Sequence, residues 1–251
     1  MREAMKEGNV DYIQDIARKQ EEGGADYIDV NAGAFVQQET KYLLWLVEKV
    51  QEVVDKPLTL DSPSPEALEA AIKTHQGTPM LNSITAEKDR YKKIMPLVRE
   101  YNAKVIALCM DDEGMPETAE ERLRIAERIL NDLERDGVPL DNVFLDPLIK
   151  PIAVNGEYGM QALETIEGIT NMGTGAHITC GLSNISYGLP SRALLNQAFI
   201  VLAMGRGLDS AIIDPLDNYM VSLVRATEVL LNRDPYGANY IKASREGKLA
   251  R

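Results

Sequence analysis

Seven short apolar runs recur along this chain, and each closes on Asp or Asn. "DYIDVN" (26–31) ends in Asn31, "PLTLDS" (57–62) in Asp61 and Ser62, and "PMLNS" (79–83) in Asn82 and Ser83. "KVIALCMD" (104–111) leads to Asp111 and Asp112, and "NVFLDP" (142–147) to Asp146. "HITCGLSN" (177–184) closes on Ser183 and Asn184, and "SAIIDP" (210–215) on Asp214. Turns and helix caps favour these residue types at any single position. As a series they would set a ring of acceptors and carboxamides around one opening. Carboxylates accept from ring N–H and amino groups, while Asn offers donor and acceptor together. A flat, neutral, amide-rich heterocycle is the ligand such a ring suits.

Other chemistries fit less well. Lys150 is the one lysine just beyond a strand end, and prolines bracket its loop, which disfavours Schiff-base chemistry. No Gly-rich loop with a lysine follows a strand, so a phosphate cradle is not expected. A divalent cation on Asp61, Asp111, Asp146 and Asp214 is the competing use of the same carboxylates, and we expect none. The two histidines, His75 and His177, lack metal-ligand spacing.

The runs that carry these residues are nearly continuous in apolar character, as strands covered on both faces are. Amphipathic stretches separate them, at 39–54, 64–75, 86–102, 118–136, 159–171, 191–206 and 217–232, and a further helix is expected at 9–22. Ser64 before Pro65 reads as an N-cap with proline at the first helical position. Thr118 with Glu121 reads as a capping box. Strand–helix alternation in units of about thirty residues predicts a (β/α)8 barrel, with a doubly wound open sheet as the alternative. No GxGxxG follows the first visible strand, which argues against dinucleotide binding. Seven strands are visible, so a barrel of eight is one strand short: either that strand would lie before Met1 or the N-terminal segment closes the barrel differently. In a parallel barrel the C-terminal strand ends form the active-site mouth, where the Asp/Asn series lies.

With 251 residues, 45% of them hydrophobic, a single barrel domain over 1–251 has ample core. A net charge of −12 speaks against nucleic acid and anionic membranes, which need basic patches. No apolar run approaches a membrane span, and "MREAMKEGNV" lacks a signal-peptide core. Cys109 and Cys180 read as two reduced core thiols of a cytoplasmic protein. Tyr42, Leu43, Trp45 and Leu46 read as a packing stripe, and "DDEG" (111–114) as a solvated loop on the mouth.

The pieces "GGADYIDVNAG", "LDSPSPEALEAAI", "MLNSITAEKDRY", "FLDPL", "GLSNIS" and "LLNQAFIVLAMGRGLDSAIIDPLD", in that order over about residues 20 to 234, resemble the pterin-binding barrel methyltransferases. The likeness is strongest to those that act between methyltetrahydrofolate and a corrinoid protein. It implies a barrel mouth that binds the pterin ring of tetrahydrofolate or 5-methyltetrahydrofolate. Asp61, Asn82 and Asp146 would hold the ring, and Gly181 and Ser183 share a loop with Asn184. Asn184 would lie beside N5, the methylated nitrogen. The co-substrate would be a cobalt corrinoid (cobalamin) carried by a partner protein, and a homodimer is expected.

Two departures stand out. Family members open with a short strand ending in a Gly-Glu-Arg stretch whose acidic residue lines the site, and this sequence begins after it. Position 187 is Tyr where some relatives carry a polar amide, which bears on the corrinoid-facing side or the substrate. A non-catalytic folate-binding subunit, a dihydropteroate synthase-like enzyme and another barrel lyase are the alternatives. The second needs a late-strand lysine where this chain has "GLSN".

Overall fold

The computed structural model describes residues 1–250. The chain begins with α1 (Arg2–Glu7) and α2 (Val10–Glu22), then β1 (Ile28–Asn31) and α3 (Glu39–Gln51). β2 (Leu58–Asp61), α4 (Pro65–Thr74), β3 (Met80–Thr85) and α5 (Lys88–Glu100) follow. Next come β4 (Lys104–Leu108), α6 (Ala119–Arg135), β5 (Val143–Asp146) and α7 (Tyr158–Met172). The last strand is β6 (His177–Ile178), and α8 (Arg192–Gly205), α9 (Asn218–Leu230) and α10 (Ala238–Arg245) close the chain.

The caps explain where helices start. Ser64 Oγ accepts the Ala67 N–H at 3.2 Å, with Pro65 opening α4. Thr118 and Glu121 cap each other reciprocally at the start of α6. Along α6 the apolar positions Ile125, Ala126, Ile129, Leu130 and Leu133 recur at helical spacing and are all buried. Gly8, at φ 64°, ends α1, a left-handed conformation that costs glycine nothing. α1 and α10 lie outside the sequence-based expectation; each is a short, mostly polar helix with little periodicity to read.

All strand pairs are parallel, in the order β1-β2-β3-β4-β5-β6. A doubly wound sheet reverses its strand order midway, so this uninterrupted order is that of a barrel wall. The seventh run adds to the wall beyond β6: Ser210 N–H donates to Ile178 O at 3.1 Å and Ile212 N–H to Cys180 O at 2.9 Å. It forms only an isolated parallel bridge between Gly181 and Ile212, not the expected full strand. The expected strand over 177–184 is likewise short, because at Gly181 the chain turns into a 3-10 segment, Leu182–Ser186.

Two apolar layers lie on opposite faces of the strands. Leu58, Leu60, Leu81, Val105, Ala107, Val143 and Leu145 face the helices in the main core. Met80, Ile106 and Phe144 form a separate cluster on the other face, with Tyr27 and Leu108 against it. The Lys104 ammonium lies 5.8 Å from the Tyr27 ring centre and 5.6 Å from that of Phe144. Phe144 stacks on His177 at 4.7 Å, and His177 Nδ1 is 2.7 Å from Asp209. This cluster lies on the lumen face of the strands, beneath their C-terminal ends.

The side chains at 42–46 pack as expected: Leu43 and Leu46 are buried and Tyr42 stacks on Phe35. Cys109 and Cys180 are free and buried. "DDEG" is only partly a solvated loop. Asp112 and Glu113 are exposed, but Asp111 is buried and pairs with Arg128 at 2.8 Å.

Candidate functional site

Two residues further up β3 and β5, on the lumen side, the apolar layer gives way to polar groups, whereas β4 stays apolar from Ile106 to Leu108. Successive same-face residues of a strand are two apart, so Met80 leads to Asn82, Phe144 to Asp146, and Thr59 to Asp61. The register then sets neighbours side by side: Asn31 opposite Asp61, and Asp61 opposite Asn82. Asn31 Nδ2 donates to Asp61 Oδ2 at 2.6 Å, while Asn31 Oδ1 accepts the Gly33 N–H at 2.8 Å. The amide of Asn31 is thereby fixed, and with it one oxygen of Asp61. Burial lifts the Asp61 carboxyl above its ordinary pKa; the Asn31 hydrogen bond opposes that, and Glu39 adds to it.

Arg90, on α5, ties the loop after β2 to strand β3. It donates to the carbonyls of Ser83 at 3.0 Å, Pro63 at 2.5 Å and Ser62 at 3.1 Å. Ser62 Oγ donates to Glu39 at 2.5 Å. These contacts hold Asp61 and Asn82 on rigid backbone. The Asn82–Ser83 peptide is cis.

Asp146 ends β5. Its Oδ1 accepts the Leu148 N–H at 2.8 Å, and its carboxylate also accepts the N–H of Gly181. Burial nonetheless pushes its pKa up to about 6. Asp146 thus ties the β5 end to the loop that carries Ser183 and Asn184. In that loop Asn184 N–H donates to Gly181 O at 3.2 Å. A Cβ on Gly181 would stand 3.2 Å from Asn184 Nδ2, so glycine leaves room for the carboxamide to lie across it. Ser183 and Asn184 are both exposed.

Neither the Asn82 nor the Asn184 carboxamide has a hydrogen-bond partner among the described residues. Polar side chains left unpaired at the strand ends are available to a ligand. The structure brings Asp61 and Asn82 together on adjacent strands, and Asp146, Gly181, Ser183 and Asn184 together across the β5 and β6 ends. Asp111 turns away to Arg128. Among the described residues no three His, Cys, Asp or Glu side chains gather as a metal would require.

Sequence reasoning passed over one group. Asp29 sits two residues before Asn31 on the same face of β1, beside Thr59. Water reaches it, yet the surrounding sheet leaves it incompletely hydrated. Desolvation first, and the charge of Asp61 second, lift its pKa to about 7. The period-2 rule could have found it, since it shares the inward face with Asn31.

Comparison with known proteins agrees with this geometry. The family model described as pterin binding enzyme matches residues 1–214. A protein of Eubacterium limosum named methylcorrinoid:tetrahydrofolate methyltransferase is 34% identical over 251 residues, covering 99% of this chain and 93% of that protein. Methionine synthase of Mycobacterium tuberculosis is 32% identical over 224 residues, which is 84% of this chain but 19% of that protein. Dihydropteroate synthase of Xanthomonas albilineans, solved with 7,8-dihydropteroate, superposes with a TM-score of 0.70 at 20% identity, over 90% of this chain and 86% of that one. That likeness shows the fold, a pterin-binding (β/α)8-type barrel. Fold, strand-end residues and family match converge: the chain belongs to the pterin binding enzyme family.

Proposed function

We propose that this chain, as one barrel domain, transfers a methyl group between a cobalt corrinoid on a partner protein and N5 of tetrahydrofolate. The observation that carries the proposal is the pair of unpartnered carboxamides, Asn82 and Asn184, at one mouth with Asp61 and Asp146. Asp61, Asn82 and Asp146 hold the edge of the pterin ring. Gly181 and Ser183 shape the loop that presents Asn184 to N5. Asp29 is a further lumen group beneath the ring.

The chemistry asks for a neutral partner at N5. When tetrahydrofolate accepts the methyl, the N5 lone pair attacks carbon as the cobalt–carbon bond breaks. Both electrons of that bond stay on cobalt, and N5 gains positive charge until its proton leaves. In the reverse direction N5 must carry positive character before it departs. The Asn184 carboxamide oxygen stabilises that charge without competing for the proton. Stabilisation that grows toward the transition state raises the rate. Its backbone N–H, held on the Gly181 carbonyl, also limits reorganisation. The name of the Eubacterium limosum relative supports the direction from methylcorrinoid to tetrahydrofolate.

Two further assignments belong to the same reading. A homodimer is supported by the apolar outer face of α8 and α9, where Leu194, Leu202 and Leu230 are exposed. A cytoplasmic location is supported by the two free buried thiols.

Absorption spectroscopy under anoxic conditions tests the activity. Methylcorrinoid, free or protein-bound, with tetrahydrofolate and the chain should give the cob(I) spectrum and 5-methyltetrahydrofolate in equal amounts. If tetrahydrofolate binds and no cobalt signal forms in either direction, the chain is a folate-binding subunit instead.

A further inference from the structure

We infer that Asn31 is a positioning residue for the pterin: its carboxamide holds the Asp61 carboxylate in the orientation and the ionised form that accept a ring N–H. The inference rests on the pterin reading of the mouth, in which Asp61 touches the ligand and Asn31 acts through it.

The last torsion of an Asp or Asn side chain has a broad well, so neither group is oriented by its own rotamer. Here each is oriented by the next. Asn31 Oδ1 accepts the Gly33 N–H at 2.8 Å, and Asn31 Nδ2 donates to Asp61 Oδ2 at 2.6 Å. The first bond settles the amide, since a backbone N–H must meet its oxygen, and the nitrogen is thereby turned to Asp61. Position 33 is tight against that oxygen: a Cβ there would stand 3.2 Å from Asn31 Oδ1. Asn31 and Asp61 are also register partners in the β1–β2 ladder, so the pair is built into the sheet. Asp61 Oδ1 accepts from no group among the described residues and is left for the ligand.

The charges around Asp61 explain why it needs a donor. Asp29 shares the lumen face of β1 with Asn31 and interacts with the Asp61 charge, and Glu39 faces Asp61 from the start of α3. Burial and Glu39 both favour a proton on Asp61, while the Asn31 hydrogen bond and the Arg90 charge on α5 oppose it. Arg90 acts from a distance, since its three bonds go to carbonyls. Among the described residues Asn31 alone bonds the Asp61 carboxylate. A proton on Asp61 would put a donor where a pterin N–H needs an acceptor.

Anoxic titrations of the full chain with tetrahydrofolate, from about pH 5.5 to about pH 9, test this in wild type, Asn31→Ala and Asn31→Asp. The titration of the ligand itself is common to all three. Asn31→Ala should bind about tenfold more weakly at pH 7, and its affinity should fall off with acid at a higher pH than that of wild type. Asn31→Asp keeps an acceptor for the Gly33 N–H, so the turn is preserved, and places two carboxyls where they share one proton. While that proton stays, the introduced hydroxyl donates to Asp61 as the amide did, and affinity should lie close to that of wild type. Once it leaves, affinity should fall, an alkaline loss that wild type lacks and that a purely structural role of Asn31 does not produce. Equal weakening of Asn31→Ala at every pH, or a wild-type pH profile in Asn31→Asp, would overturn the inference and leave the pterin site standing. Failure of wild type to bind tetrahydrofolate would overturn the pterin site itself.

Discussion

The lower and upper lumen are built from the same strands, on the same face, one pleat apart. Below, Met80, Ile106 and Phe144 bury one another, with Tyr27 and Leu108 packed against them. Above, Asn82 and Asp146 follow two of those residues in register and are left half-open, one without a partner and one pushed up to about 6. A single step of about 6–7 Å separates a layer that stabilises the fold from one that costs stability and keeps its valences for a ligand. The barrel thus divides its labour by height, not by domain.

Substitutions can test that division. Phe144→Ala should be the largest loss of stability, about 3–5 kcal/mol in denaturant unfolding, since it removes the ring stacked on His177 and faced by Lys104. The residual folded protein should still bind tetrahydrofolate. Asp61→Asn one layer up should do the reverse. Its melting temperature should hold or rise, and affinity for tetrahydrofolate should drop ten- to a hundredfold, as one charge-assisted contact is lost. A large stability loss in Asp61→Asn would erase the distinction between layers.

The main fold was legible because periodicity and caps are local. Ser64, Thr118 and the apolar runs mark boundaries without reference to distant residues. The site was legible in part for the same reason: its groups sit at strand ends. What the sequence hid is whatever depends on contacts across the fold. Arg90 clamps a loop and a strand from a helix that follows both, and nothing in its neighbours announces it. Asp29 was hidden by a different cause. It lies mid-strand in a run read for its last residue, although its two-residue spacing from Asn31 already puts it on the same inward face.

Asp29 also supplies a pH test of the upper layer. Its folded pKa, about 7, lies above the ordinary 3.8 of an unfolded aspartate. Between these values the folded state holds more protons than the unfolded one, so stability falls as pH rises from about 4 to 7. Undiscounted, the shift corresponds to ~4 kcal/mol. Water reaches Asp29, so screening reduces the expected effect to about 1–2 kcal/mol. Asp29→Asn should therefore be more stable than wild type at pH 8 and equal to it near pH 4. A constant difference across that range would remove Asp29 from the titration.

Gly181→Ala is the mildest probe. Its φ of −71° is open to alanine, so folding should be unaffected. The new methyl presses on Asn184 Nδ2, and turnover should drop about tenfold with tetrahydrofolate affinity kept. Unchanged turnover would mean that the seat of Asn184 does not matter.

The most direct test of the central claim is Asn184→Ala in a single-turnover reaction of methylcorrinoid with tetrahydrofolate, with binding measured in the same sample. Tetrahydrofolate affinity should stay within a few-fold of wild type, and methyl transfer should slow by about a hundredfold or more. Methyl transfer at the wild-type rate, with Asn184 gone, would contradict that claim.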